Sequence, residues 1–145
     1  MSTLISISPP GKQQKQETRM TAFLSLGFRP LYIAGTAWAL ISILLWIYTP
    51  QVLQGTLNGV WWHAHEMLWA FVGTIAVGFL TTASATWTGS NPIKGVPLAL
   101  LTFSWVIARI AFLIPGESMF FTGMLYEVSF YLVAAFSLFR VILKA

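Results

Sequence analysis

The chain has 145 residues, of which 57% are hydrophobic and 8% charged, with a mean hydropathy of +0.74. Soluble domains carry about 25% charged residues, so a water-facing globular surface is excluded and lipid is the solvent for most of this chain. The net charge of +4 forms no dense basic patch, which argues against a nucleic-acid partner, and the lack of cysteine excludes disulfides, thiolate metal sites, c-type haem attachment and a cysteine nucleophile.

The polar run through Pro9, Pro10, Gly11 and Arg19 reads as a disordered tail covering residues 1–20. Four apolar stretches follow, each long enough for the ~20 helical residues that cross a hydrocarbon core. They run over about 31–48, 61–87, 96–114 and 119–143, and Pro50, the Gly89 to Pro92 stretch and Pro115–Gly116 mark the joints. The first stretch is too long for a signal-peptide core, starts some thirty residues in, and has no small-residue cleavage site after it. It is expected to be a retained span. The fold class is therefore an all-α membrane protein, a bundle of four transmembrane helices making one domain over 21–145.

Lysine and arginine positions set the orientation. Lys12, Lys15, Arg19, Arg29, Lys94, Arg140 and Lys144 all fall on one side of a four-span chain, and the connections at 49–60 and 115–118 carry no lysine or arginine. The expected topology is N-in/C-in. It puts the start of the second span at the outer, periplasmic side of a bacterial inner membrane.

Small residues recur at helical spacing as Gly35, Ala39 and Ser42 in the first span and as Ala70, Thr74 and Gly78 in the second. Such stripes let membrane helices approach closely. Trp46, Trp61, Trp62 and Trp87 fall near span ends and read as interfacial anchors.

Two charges fall inside spans. Arg109 and Glu127 each sit roughly 9–12 Å below the outer surface at 1.5 Å per residue, on consecutive spans joined by a short turn. An unpaired charge at mid-bilayer costs about 2.5–3.5 kcal/mol, so an Arg109–Glu127 pair is expected. It serves either as a structural ion pair or as the lining of a site for a cofactor propionate, a proton or an ion.

The densest chemistry is the heptapeptide WWHAHEM at 61–67. It holds both histidines of the chain, His63 and His65, beside Glu66 and Met67. At about 100° per residue, His63, Met67, Ala70, Thr74, Gly78 and Thr81 share one stripe, the expected bundle face, and His65 points nearly opposite. Two histidines two apart on one helix cannot ligate one metal, unlike the i, i+4 spacing of HExxH; His63 and His65 could do so only if the helix begins after His65 and leaves His63 on an extended entry segment. His63 with Met67 suits a copper half-site, with Met119 and Met124 as further sulfur donors, and His63 also suits an axial haem position. The alternative is that these residues hydrogen-bond headgroups and cap the helix.

FLSLGFRPLYIAGTAWA at 23–39, WHAHEMLWAFVGTIAVGFLTTA at 62–83 and WTG at 87–89 resemble the NnrS family of bacterial membrane proteins. Arg109 falls where that family carries an arginine in its third span, and Glu127 stands near an acidic position. The resemblance covers about 23–140, the N-terminal portion of a typical member; longer members have more spans with further histidines. Ala85 and Thr86 stand here where a Pro-Asn precedes WTG in the family.

The resemblance implies haem and copper as cofactors, a link to nitric oxide and denitrification, and functional weight on His63, His65, Glu66, Met67, Arg29 and Arg109. The expected partners are the lipid bilayer, nitric oxide, and a homo-oligomer or another membrane subunit that supplies missing ligands. The alternatives by function are a non-catalytic assembly or scaffold subunit, a small transporter or channel component using Arg109 and Glu127, and a truncated product of a longer protein.

Overall fold

The computed structural model describes residues 19–53 and 57–144. The expected tail lies outside these residues except for Arg19 and Met20, which open a short helix, α1 (Arg19–Phe23). Four long helices follow: α2 (Phe28–Tyr48), α3 (Gly59–Thr88), α4 (Val96–Leu113) and α5 (Glu117–Ile142). Each is long and apolar enough to span a bilayer, and no strand occurs among the described residues. The protein is an all-helical four-span bundle.

The joints have local causes. The Asn58 side chain caps α3 by accepting from the Trp61 amide at 3.4 Å, satisfying one of the amides orphaned at a helix start. Gly89, at φ 69°, ends the same helix in the left-handed conformation that glycine adopts without a Cβ clash. The 89–95 connection then docks on the N-terminal segment, with Asn91 Nδ2 donating to Ser25 O at 2.6 Å and the Gly95 amide to Leu24 O at 2.8 Å. Lys94 thus lies at the same end of the bundle as the start of α2.

The two extensive pairings are α2 with α3 and α4 with α5, and α3 also packs on α5. Small residues permit the α2–α3 approach: a Cβ at Gly78 would meet the Tyr32 ring at 3.1 Å, and one at Gly35 would meet Ile75 and Thr74. The core is built on Leu31, Ala70, Leu98, Trp105, Phe130 and Ala134.

Polarity is distributed opposite to a soluble protein. Ser42, Glu66, Thr74, Thr81, Ser84, Arg109 and Glu127 are buried, whereas Ile33, Leu40, Phe79, Phe103 and Phe136 are exposed. Water would strip such a surface into aggregates; hydrocarbon solvates it. Trp61 and Trp87 are exposed near the helix ends as an interfacial belt requires, but Trp62 is fully buried and is part of the packing instead.

Candidate functional site

The site forms where α3 leaves ordinary α-helical geometry. Residues Glu66–Gly73 form a π-helical segment inside α3. A π turn holds more residues than an α turn, and such segments recur at functional sites. Here it keeps Trp62, Glu66, Ala70 and Thr74 on one buried stripe at a spacing of four. A 3.6-residue helix would rotate that stripe off the bundle face within a few turns.

This corrects the expected placement of the histidines. The lower part of the expected stripe, Ala70, Thr74, Gly78 and Thr81, is buried. Above it, Glu66 occupies the bundle face in place of His63 and Met67, which are only half-buried. His65 points into the bundle rather than away from it. The cause is the π segment, which changes the angular step on which the helical wheel depends.

Four charged or ionisable side chains close into a ring. Arg109 Nη1 donates to Glu66 Oε2 at 2.9 Å, and Arg109 Nη2 donates to Glu127 Oε1. His65 bridges the two acids, with Nδ1 3.0 Å from Glu66 Oε1 and Nε2 2.8 Å from Glu127 Oε2. The expected Arg109–Glu127 pair is present and is half of a larger network. Trp38 of α2 adds a fifth member by donating its indole N–H to Glu66 Oε2 at 2.5 Å, so all four spanning helices contribute.

The surroundings make the ring a low-dielectric site. Glu66 and Arg109 are fully buried, and the side chains of His65 and Glu127 are 19% and 11% exposed. The Arg109 guanidinium lies 5.6 Å from the Trp105 ring centroid and 5.4 Å from that of Phe112, within cation–π range. The His65 ring meets Phe112 edge-on at 4.7 Å. Ionised carboxylates only accept hydrogen bonds, so with both acids ionised both His65 ring nitrogens donate. Two negative and two positive groups then sum to zero.

His65 and Glu127 also border a cavity of about 420 Å³ between α3, α4 and α5, walled by Trp69, Phe112, Phe120 and Tyr131. The Tyr131 hydroxyl donates to the Trp69 carbonyl, a peptide oxygen inside the π segment, where the regular helix bonding is interrupted.

The remaining candidates are dispersed. His63 stacks face to face on Trp46, with centroids 4.1 Å apart and planes at 8°, and its buried Nδ1 has no hydrogen-bond partner among the described residues. Met124 borders the cavity, and it and Met119 are exposed on α5. Arg29 is at the other end of the bundle, bonded to the Ala22 carbonyl and to Ser25 Oγ. No group of three or more His, Cys, Asp or Glu side chains arranged to hold a metal ion occurs among the described residues. Sequence reasoning missed Trp38 and Tyr131. An indole N–H in the middle of an apolar span needs an acceptor, and that was the available signal for Trp38.

The chain belongs to the NnrS protein family, whose model matches residues 22–145, the C-terminal part of this chain. No curated protein and no solved structure matches it.

Proposed function

We propose that this NnrS-family chain serves the bacterial response to nitric oxide from the inner membrane, with the Arg109–Glu66–His65–Glu127 ring as its working site. The observation that carries this reading is the position of His65. It bridges two carboxylates inside the bundle and is the ring member most open to the lateral cavity. A purely structural ion pair needs Arg109 and one acid; two acids bridged by an imidazole at a cavity wall form a group that can hold and exchange a proton. Nitric oxide is small, uncharged and soluble in hydrocarbon, so it reaches such a cavity from the bilayer.

The test is growth under a nitric oxide donor in cells that depend on this chain. His65→Gln and Glu127→Gln are expected to insert at the parental level yet lose tolerance. Tolerance equal to the parent at equal membrane abundance would overturn the reading.

Haem or copper would enter this reading through residues of more than one chain. The described residues of one chain hold no complete centre, because both His65 nitrogens are committed to carboxylates and no group of three or more His, Cys, Asp or Glu side chains is arranged to hold a metal. His63 is the residue that could offer a ligand, since its Nδ1 is buried and unpartnered among the described residues. A metal held there would take its other ligands from a second copy or from another membrane subunit, and would supply nitric oxide binding. An optical spectrum and metal analysis of the purified chain, alone and with co-expressed partners, test this. A cofactor that persists in His63→Ala would remove His63 from it.

A further inference from the structure

The lateral cavity is polar at one end only. Trp69 and Val128 on its rim are 53% and 51% exposed, so it opens on the lipid-facing surface, and His65 and Glu127 lie at its buried end. Its volume of about 420 Å³ falls within the range of small-molecule sites. The rings of Trp69, Phe112, Phe120 and Tyr131 give it flat, apolar walls.

The hydrogen-bond inventory at the buried end selects the ligand. His65 faces a carboxylate through each ring nitrogen and has no donor left. Each Glu127 oxygen accepts one bond, from Arg109 or from His65, and a carboxylate has roughly four lone-pair positions. The Tyr131 hydroxyl spends its proton on the Trp69 carbonyl. The side chains that line this end, His65, Glu127 and Tyr131, therefore offer carboxylate acceptors and no unspent donor. The one other donor on the wall, the Trp69 indole, belongs to the half-exposed rim.

We propose that this cavity binds a membrane hydroquinone, with its aromatic ring between the aromatic walls, a phenolic hydroxyl donating to Glu127, and its apolar tail leaving past Val128 into lipid. The proposal rests on the ring being the working site. It concerns the ligand of that site, and its failure is separable from failure of the nitric oxide reading.

The experiment is equilibrium binding of radiolabelled 2-decylhydroquinone to the full chain in lipid nanodiscs without oxygen, competed with the matching quinone and with decylbenzene. Saturable binding is expected, with the hydroquinone preferred over the quinone by about tenfold or more, as a hydrogen bond to a charged acceptor implies. Val128→Trp fills the rim without touching the ring and should abolish binding. Glu127→Gln adds an amide donor and should erase or invert the preference. Equal retention of all three probes, or unchanged binding in Val128→Trp, would overturn the proposal. If hydroquinone does not bind while nitric oxide tolerance still requires His65, the ligand class is wrong and the functional reading stands. Binding without a nitric oxide phenotype reverses that outcome.

Discussion

The Nε2 of His65 lies 2.8 Å from a carboxylate oxygen of Glu127, across 62 positions of sequence. This contact turns an Arg109–carboxylate cluster into a closed ring, because the other His65 nitrogen already meets Glu66. Closure matters in hydrocarbon: with His65 protonated, each carboxylate has a cationic partner on both sides, and no charge of the ring is left to the lipid.

Arg109 is the member whose loss costs most. It donates to both Glu66 and Glu127, so Arg109→Met leaves two acids that only His65 can neutralise. Removing one partner of a buried pair costs about 3–5 kcal/mol. Thermal unfolding in detergent should show Arg109→Met well below the parent and below Glu127→Gln, which keeps the Arg109–Glu66 bond. Equal midpoints for the two variants would contradict a two-armed role for Arg109.

Gly73 closes the π segment, and a Cβ there would collide with the Tyr131 hydroxyl. Gly73→Ala should destabilise by about 1–3 kcal/mol, the usual range for overpacking. Tyr131→Phe removes the colliding oxygen, so the double variant should lose less than the sum of the two singles. A double-mutant cycle on the unfolding midpoint checks this, and strict additivity would mean that the two residues do not touch.

The sequence revealed the four spans because a long uncharged apolar run is an unambiguous signal. It revealed the Arg109–Glu127 pair because distance from a short turn gives depth directly. The role of His65 was hidden: a wheel drawn at one angular step cannot register a π segment, and the error rotates everything N-terminal to it. Trp62 was misread as an interfacial anchor for the same reason, since on the real helix it begins the stripe that Glu66, Ala70 and Thr74 continue. Tyr131 gave no signal, because its acceptor, the Trp69 carbonyl, is a backbone group that only the irregular turn leaves available.

Docking of the 89–95 connection on Ser25 and Leu24 puts Lys94 with Arg29 at one end of the bundle, and Pro115 at the other. The positive-inside rule predicts that the first end is cytoplasmic. Alkaline phosphatase inserted at Gly116 should therefore be active, and a fusion after Lys144 inactive. The reverse pattern would put the His65 ring nearer the cytoplasmic face.

A π segment is equivalent to one residue added to an α-helix, so deleting one residue should restore the α-helix and destroy the site. Leu68 is the suitable position, being inside the segment and 62% exposed, so that its loss removes little packing. The C-terminal half of α3 is fixed on α2 where Gly78 meets Tyr32 and Leu31. The N-terminal half must then turn by about 100° and shift by about 1.5 Å, which takes Glu66 off the bundle face and away from Arg109 and Trp38. The chain has only two histidines, so a spectrum with ¹⁵N-labelled histidine resolves each ring. In the parent, His65 should show both nitrogens protonated between its two carboxylates, and in the deletion variant that signature should vanish along with stability. Leu68→Ala removes the side chain but keeps the register, and should retain both. If the deletion variant kept the ring signature, the π segment would not be what positions His65 and Glu66.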